Sequence, residues 1–346
     1  MTEFKTVDNF LASGRPEEAV EAAYSLNCKN LGFLLGRVLN FSDSYLESCE
    51  PLCENAFYLV SLHCNWLPAG ELRYLWNKMT KGDYTWNKIR IVHDASRAQY
   101  HVIINSTTEK VDPSRSIIFQ MEPDMKSHPE QWKSEWADPD PRNFLRVFTH
   151  KNSFNNCEWH LGASYTQLKE ERVEKDGGLG GIISAVLSSK YHDPGHKKRV
   201  DFAKFLDTKE GATLHVFGHD LGYKHYKGSP PYHNKNEALT PYFYTFNVEN
   251  QEIPNYFTEK LVDAILSECL IFYHGPKNIR DYFDERAFVY LPLEDFEADY
   301  DLIERVISED WRTLRLPYIR KEKRRILDEL QFFPRLEGII EEIQRT

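Results

Sequence analysis

The alternation of short β-branched runs with helical stretches, which begins near residue 86, constrains the fold more than any other feature of this sequence. Runs that are rich in Ile, Val and Phe and bounded by turn residues predict buried strands. In the first half of the chain these runs cover residues 88–94, 100–106, 116–122 and 144–150. A second series covers residues 182–190, 212–219, 241–250, 270–275 and 287–292. Because helical stretches alternate with the strands, parallel Rossmann-like sheets are predicted.

The glycine-rich stretch KDGGLGG, at residues 175–181, is the best candidate for a linker between the two series. The sequence therefore predicts an α/β protein with two facing Rossmann-like domains. We place these domains at residues 83–178 and 179–318, with C-terminal helices at 319–346. Two such domains would direct the carboxyl ends of their strands toward a shared ligand cleft.

Residues 1–82 have a different pattern and predict an all-helical N-terminal extension. Pro16, followed by two glutamates, suits the first turn of a helix. The stretches CENAFYLVSLHCNWL (53–67) and AGELRYLWNKM (69–79) continue with helical apolar spacing. Two interpretations remain open for this extension: a module that docks a protein partner, and a helical cap on a larger fold.

Composition excludes several classes of partner. The 346 residues carry a formal net charge of −10, which argues against binding to nucleic acid or to an anionic membrane. The apolar runs fall short of the roughly 18 residues that a membrane span needs, and the N-terminus lacks a signal-peptide pattern. The six cysteines form no zinc or disulfide pattern. We therefore expect a cytoplasmic protein whose partners are small molecules or other proteins.

The start of the helix near residue 258 is the clearest candidate for a ligand site. Strand FNVEN ends at Glu249 and Asn250, and Thr258 suits the N-cap of the next helix. The N–H groups of a helix N-terminus and its partial positive charge favour a phosphate, and Lys260 adds a full charge there. The neighbouring Glu259 does not suit a phosphate, and adjacent helical residues do not face each other. A carboxylate that only complements the helix dipole is the simpler interpretation of Glu259.

Arg199, near the start of the helix after SSKYHDPGHKK, is a second cation that lies close to a strand end. A basic run of this kind is often only the solvated face of a helix. Spacing alone therefore predicts an anion-binding α/β domain and nothing more specific.

Residues 234–291 resemble the donor-binding half of the α-1,3-fucosyltransferases, glycosyltransferase family 10. The motifs that carry the resemblance are Lys235, FNVEN (246–250), YFTEK (256–260), YHGP (273–276) and AFVYL (287–291). Upstream, SAVLSS (184–189) and RVDFAKFL (199–206) are similar to the family's Ser-containing strand and its Arg-containing helix. The sequence departs from the family at His274, where Trp is usual, and in the strand LHVFGH, which lacks the Asp expected before its final Phe-Gly.

The resemblance implies a GT-B-type, inverting glycosyltransferase that moves fucose from GDP-fucose to a hydroxyl of a glycan acceptor, with no cofactor or metal required. It gives Arg199 and Lys260 the role of neutralising the departing pyrophosphate, and Glu259 that of stabilising positive charge on the sugar. It assigns donor binding to Ser188, Arg199, Asn250, Tyr256 and Lys260.

An inverting reaction needs a carboxylate base for the acceptor hydroxyl. The matching position is the end of the strand SIIFQMEPD, so we select Glu122 as the base and keep Asp124 as the second choice. A turn residue is the simpler interpretation of either acid.

Two alternative functions remain: a transferase for another nucleotide-sugar, which His274 suggests, and a non-catalytic helical-repeat scaffold that retains the fold. Metal chemistry is less favoured. The pair Asp138-x-Asp140 lies in a proline-rich loop, and no spacing among the histidines of the second half predicts a metal site.

Overall fold

The computed structural model describes residues 57–122, 139–151, 153, 157–170, 172–211 and 213–345. The chain divides into two compact units. The first contains Met1–Phe119 and Asp138–Val147, and the second contains Gln120–Ala137 and Phe148–Thr346. The predictions for residues 1–56, for Asp124 and for Asp138 lie outside the described residues.

The first unit is built around a six-stranded sheet. Its elements are β1 Tyr58–Cys64, α1 Ala69–Asn77, β2 Thr85–Trp86, β3 Ile89–Ile91, β4 Tyr100–Ile104, β5 Ser116–Gln120 and β6 Arg146–Thr149. The strand order is β2-β3-β1-β4-β5-β6, in which β1 pairs in parallel with β3 and β4, β4 pairs in parallel with β5, and β2 is antiparallel to β3. The four predicted strands of this region are therefore confirmed, since each contains an observed strand.

The helical prediction for CENAFYLVSLHCNWL is wrong, because its centre forms β1. The strand is nearly continuously buried, with Val60 and Leu62 on one face and Ser61 and His63 on the other. Apolar and polar residues do alternate from Val60 to Cys64, but the run is short and contains a single β-branched residue, so it fits a helix as well as a strand. Pairing with β3 and β4 on both sides decides in favour of the strand. The neighbouring prediction of helix for residues 69–79 is confirmed by α1.

The second unit contains a five-stranded, parallel sheet with the order β11-β10-β9-β7-β8. Its strands are β7 Ile182–Leu187, β8 Thr213–Gly218, β9 Tyr244–Val248, β10 Leu270–His274 and β11 Phe288–Tyr290. Its helices are α2 Tyr165–Glu170, α3 Pro194–Thr208, α4 Asn236–Leu239, α5 Glu259–Leu266, α6 Phe296–Ser308, α7 Trp311–Arg325 and α8 Phe332–Arg345, with a π-helical turn at Ile326–Leu330. All five predicted strands and the helical C-terminal tail are confirmed. The α/β class with two mainly parallel sheets is likewise confirmed.

The glycine-rich stretch that suggested a linker lies inside the second unit and does not join the two units. The Nζ atom of Lys175 donates to the carbonyl of Ser267 at 2.5 Å, and the amide of Asp176 donates to the carbonyl of Pro241 at 3.0 Å. Helix α7 similarly spans the boundary that we placed at residue 318. Among the described residues, no helix combines the length and apolar character that crossing a membrane would require.

Candidate functional site

The order of the strands in the second sheet reverses beside β7, which has β9 on one side and β8 on the other. In a parallel sheet the crevice at such a reversal, at the carboxyl ends of the strands, is where ligands bind. The connection after β7 leads to α3, and the connection after β9 leads to α5. Six predicted residues lie on these two connections or in the first two turns of their helices: Ser188, Arg199, Asn250, Tyr256, Glu259 and Lys260.

Arg199 is almost fully buried at this edge, with 3% of its surface exposed. Its Nη1 atom donates to the carbonyl of Val248 at 2.9 Å and to Oδ1 of Asn250 at 3.3 Å. Its Nη2 atom donates to Oγ of Ser188 at 3.3 Å. Within the described part of the chain, Nε has no hydrogen-bond partner. Burial lowers the pKa of Arg199, but a guanidinium keeps its charge in proteins. This edge of the sheet therefore holds a buried cation whose Nε–H group can donate a hydrogen bond to a ligand.

A close backbone approach brings the start of α3 to the end of β9. The amide of Gly195 donates to the carbonyl of Asn250 at 3.2 Å. A Cβ atom at position 195 would lie 1.8 Å from the carbonyl oxygen of Glu249, so only glycine fits there. This contact fixes the first turn of α3, and with it Arg199, against the strand end.

Glu249 organises the start of α5, a role that the sequence alone did not suggest. The carboxylate is buried, with 1% exposed, and its Oε1 atom accepts hydrogen bonds from the Thr258 amide at 2.9 Å and from the Tyr273 hydroxyl at 3.0 Å. Its Oε2 atom accepts a hydrogen bond from the Thr258 hydroxyl at 2.7 Å and lies 3.6 Å from Nζ of Lys260. Thr258 is the N-cap of α5, as predicted, and its Oγ1 atom accepts a hydrogen bond from the Lys260 amide at 3.4 Å. The only sequence signal for this role was the position of Glu249 at a strand end.

Glu259 and Lys260 contact each other although they are adjacent in sequence, contrary to our expectation. Nζ of Lys260 lies 3.4 Å from Oε1 of Glu259. The flexible stem of Lys260 bends back over the N-cap, where the preceding backbone is extended and not helical. Burial alone would raise the pKa of Glu259, but Lys260, Lys235 and His160 together hold it well below the usual range. The edge therefore keeps an ionised carboxylate beside an ammonium group.

Tyr256 lies beneath these charges with only 2% of its surface exposed. Burial, together with the carboxylates of Glu122, Glu249 and Glu259, raises the pKa of Tyr256 well above its usual value, so the phenol stays protonated. The hydroxyl has no hydrogen-bond partner among the residues that the structure describes. A neutral phenol with a proton to donate is thus a second buried donor at this edge.

Glu122, the predicted base, follows β5 and belongs to the second unit. Burial raises the pKa of Glu122, the charges of Lys260 and Lys190 lower it, and those of Glu259 and Glu158 raise it. Glu122 is therefore near enough to the start of α5 for its carboxyl group to interact electrostatically with both members of the Glu259–Lys260 pair. A carboxylate whose pKa is raised accepts a proton more readily near neutral pH.

His274 ends β10, where it is buried and held on both sides of its ring. Nδ1 lies 2.7 Å from the carbonyl of Leu291, which assigns the ring proton to Nδ1. Nε2 lies 3.1 Å from Nζ of Lys198 and 3.3 Å from Oε2 of Glu252. Burial is the largest influence and lowers the pKa of His274. The imidazole therefore joins β10 to α3 and to the loop after β9.

The rival motifs acquire local structural roles. Asp140 caps the short 3-10 turn at Pro141–Asn143 and pairs with Arg142. His215 hydrogen-bonds through Nδ1 to the Tyr242 hydroxyl at 2.9 Å. Throughout the described ranges, no group of three or more His, Cys, Asp or Glu side chains is arranged to hold a metal ion.

No protein-family model and no curated protein matches this sequence. Solved structures of low similarity are found. A crystal structure of an α1,3-fucosyltransferase is 15% identical with a TM-score of 0.45, and the match covers 75% of this chain and 80% of that one. A crystal structure of α1,3-fucosyltransferase with GDP-fucose is also 15% identical with a TM-score of 0.39, covering 75% and 81%. A crystal structure of TarM is 10% identical with a TM-score of 0.41, covering 88% of this chain and 58% of that one.

Proposed function

We propose that this protein is a glycosyltransferase whose second unit binds a nucleotide-sugar, and that the sugar is fucose carried by GDP. The observation that carries the proposal is the charge arrangement at the carboxyl edge of the second sheet. Two cations, Arg199 and Lys260, lie there together with the ionised carboxylate of Glu259. Breaking the bond between a sugar and a phosphate creates one charge of each sign, and this edge presents groups that would stabilise both.

The buried donors suit the nucleotide half of such a ligand. Arg199 can direct Nε toward a phosphate oxygen while its Nη atoms remain bound to Val248 and Asn250. The Tyr256 hydroxyl can donate to the same group, and the N-terminus of α5 adds its partial positive charge. Ser188 and Asn250 hold the guanidinium and so act on the phosphate through Arg199.

In the proposed reaction, the bond between the anomeric carbon and the phosphate oxygen breaks, and its electron pair leaves with the nucleoside diphosphate. Arg199 and Lys260 stabilise the charge that collects on the pyrophosphate, while Glu259 stabilises the positive charge that develops on the sugar ring. The acceptor hydroxyl attacks the opposite face of the anomeric carbon, so the configuration inverts. Glu122 accepts the hydroxyl proton.

Sugar specificity is the finer part of the proposal, and it rests on the motifs of residues 234–291. The binding of His274 to Leu291 and Lys198 gives the strand end a polar, buried side chain where the family usually has an apolar ring. This difference keeps another nucleotide-sugar as the second candidate donor.

Thermal unfolding with GDP, UDP, CMP and their sugars tests the proposal. A ligand that binds only the folded protein raises the melting temperature. We expect GDP and GDP-fucose to raise it, and GDP-fucose to be consumed when a glycan acceptor is added. A response to UDP-sugars alone would contradict the donor assignment, and no response to any nucleotide would contradict the function.

A pair of variants tests the base. Glu122→Gln should reduce transfer by roughly a hundredfold or more, because general base catalysis contributes on the order of 10² to 10⁴. GDP binding should remain. Glu158→Gln is the matched control, since Glu158, like Glu259, is a carboxylate whose charge raises the pKa of Glu122. Loss of transfer in the Glu158 variant with normal transfer in the Glu122 variant would move the base to Glu158.

A further inference from the structure

Lys235 lies between two carboxylates of the first turns of α5, although it is far from them in sequence. Its Nζ atom is 2.8 Å from Oδ2 of Asp263 and 3.4 Å from Oε1 of Glu259. The side chains of Lys235 and Glu259 are each 16% exposed, and that of Asp263 is 1% exposed. Removing both charges of a buried ion pair from water costs free energy, and their attraction offsets this cost only when the geometry of the pair is fixed.

The backbone on both sides of this ion pair is fixed by hydrogen bonds. The amide of Lys235 donates to the carbonyl of His160 at 2.8 Å, and the amide of His160 donates to Oδ1 of Asp263 at 2.7 Å. Asp263 therefore uses one oxygen for the His160 backbone and the other for the Lys235 ammonium group. The amide of Gly162 also donates to Oδ1 of Asn236 at 3.0 Å. The segments that contain His160 and Lys235 are thus bound to each other and, through Asp263, to the helix that bears Glu259.

Both lysines contact the same oxygen of Glu259. The Nζ atoms of Lys235 and Lys260 each lie 3.4 Å from Oε1. Lys235 precedes Glu259 in the sequence by 24 residues, and Lys260 follows it directly. Two ammonium groups that share Oε1 restrain the carboxylate and leave its other oxygen, Oε2, for a ligand. Asp263 holds the ammonium group of Lys235 beside Glu259, and Lys260 reaches the same carboxylate from its own helix.

We propose that Lys235 is a positioning residue, which holds Glu259 ionised and turns Oε2 toward the sugar of the bound donor. This inference rests on the proposed function, because it specifies how the sugar-facing carboxylate is prepared. Lys235 does not touch the substrate. Its role is to add to the charge of Lys260 in keeping Glu259 anionic, and to maintain that charge when Lys260 binds the pyrophosphate.

The electrostatics agree with this division. Burial lowers the pKa of Lys235, but Asp263 and Glu259 raise it further, so Lys235 stays charged. The charged and titratable groups that face Glu259 are Lys260, Lys235, His160, Arg199, Glu122 and Tyr256. Of these, Lys235 is the ammonium group that also binds a buried carboxylate of the same helix, Asp263. Its removal should therefore raise the pKa of Glu259.

Lys235→Met in the full chain tests the inference. Loss of an opposite charge within about 4–6 Å shifts a carboxyl pKa by about 1–3 units, so the pKa of Glu259 should rise by at least about one unit. Because Glu259 must be ionised to act, the acidic limb of kcat against pH should move to higher pH by the same amount. At low pH kcat should fall, while the KM for the donor should change little. Lys235→Arg, which keeps the charge, should restore the acidic limb to its original position.

Asp263→Asn is the matched control. It keeps an oxygen that accepts the His160 amide but removes the charge from Lys235, whose attraction then acts on Glu259 alone. Both variants should lower stability, yet only Lys235→Met should move the acidic limb upward. Equal upward shifts in the two variants would contradict the inference, because a purely structural role would affect both.

The pKa of Glu259 can also be measured without substrate, by NMR titration of the side-chain ¹³C carboxyl signals with Glu259→Gln for assignment. If the wild-type protein transfers no sugar, the proposed function fails, but this titration still tests the role of Lys235. An unchanged Glu259 titration in Lys235→Met would overturn the inference whatever the reaction is. If Lys235→Met does not fold, the double variant Lys235→Met/Asp263→Asn removes the buried ion pair as a unit and carries the same titration.

Discussion

Each sheet carries a buried polar network, and the two networks differ in kind. In the first unit, Oγ of Ser61 lies 2.8 Å from Nε2 of His63 and 2.8 Å from Nδ1 of His101, and Nδ1 of His63 lies 2.9 Å from Oε2 of Glu109. In the second unit, the network consists of charged groups around Glu249 and Glu259. The network of the first unit consists mainly of neutral groups, whereas that of the second unit consists of buried groups that carry full charges.

The first network can satisfy each hydrogen that it contains. If His63 donates Nδ1–H to Glu109, its Nε2 accepts the Ser61 hydroxyl, and Ser61 then accepts Nδ1–H of His101. Burial lowers the pKa of His63, and it lowers that of His101 to about 4, so both rings are neutral at pH 7. Such a closed network specifies strand pairing and needs no ligand.

The second network is open, because it includes buried donors without an acceptor. Among the described residues, neither Nε of Arg199 nor the hydroxyl of Tyr256 has a hydrogen-bond partner. Native proteins pair nearly all buried polar groups, so donors at a strand end that lack partners within the fold are suited to a ligand that supplies an acceptor. The difference between the sheets is that the first network closes on itself, whereas the second has the donors of Arg199 and Tyr256 beside charged groups at the strand ends.

Of the changes that separate the two networks, removal of Glu249 should cause the largest loss of unfolding free energy. Glu249→Ala deprives Thr258, Tyr273 and Lys260 of a buried carboxylate, and breaking such a network costs about 3–5 kcal/mol of unfolding free energy. Urea unfolding monitored by circular dichroism measures the loss. Glu109→Ala is the control from the other network, since that carboxylate is 48% exposed and its removal should cost much less. Equal losses in the two variants would mean that the networks do not differ as described.

Loss of Arg199 should have the next largest effect, and it should appear in binding. Arg199→Met should weaken GDP binding by about a hundredfold, or about 2.7 kcal/mol, the range expected for a charge-assisted hydrogen bond. Titration calorimetry on the folded variant gives the dissociation constant. Arg280→Met is the control, because this arginine is more than half exposed and pairs with Glu285. Unaltered GDP binding in Arg199→Met would exclude Arg199 from the site.

The smallest effect concerns the pH dependence of the first network. The pKa of His101 is about 4 in the folded protein against 6.5 for an unperturbed histidine, so its neutral form is the one that folding favours. Its contribution to stability is complete above pH 6.5 and is lost as the pH falls toward 4. Melting temperatures between pH 7 and pH 4 should therefore decline less in His101→Asn than in the wild type. Parallel curves for the two proteins would contradict a neutral buried ring.

The sequence predicted elements well where its pattern was unambiguous. The strands of the second sheet and the start of α5 followed from β-branched runs and from Thr258 as a cap. Strand β1 was missed, because its short run contains a single β-branched residue, Val60, and therefore fits a helix as well as a strand. The glycine-rich stretch 175–181 was interpreted as a linker because no local pattern reveals the tertiary hydrogen bond that anchors Lys175 to Ser267.

The candidate site was predictable in part. The helix N-terminus suggested Lys260, and the family resemblance suggested Arg199, Glu259 and the nearby residues. The supporting groups, Glu249 and Asp263, were missed because their partners are brought to them by the fold. His160 lies 103 residues from Asp263 and Lys235 lies 28 residues from it, so no local spacing connects them.

Hydrogen–deuterium exchange with and without GDP tests the central claim most directly, because it examines both sheet edges in one experiment. If the open network is a nucleotide site, GDP should slow exchange in the segments 188–199 and 249–262, at the ends of β7 and β9. The segments 58–64 and 100–109, which hold the closed network, should keep their exchange rates. Protection confined to the first sheet, or no protection anywhere at saturating GDP, would contradict the assignment of the nucleotide site to the second unit.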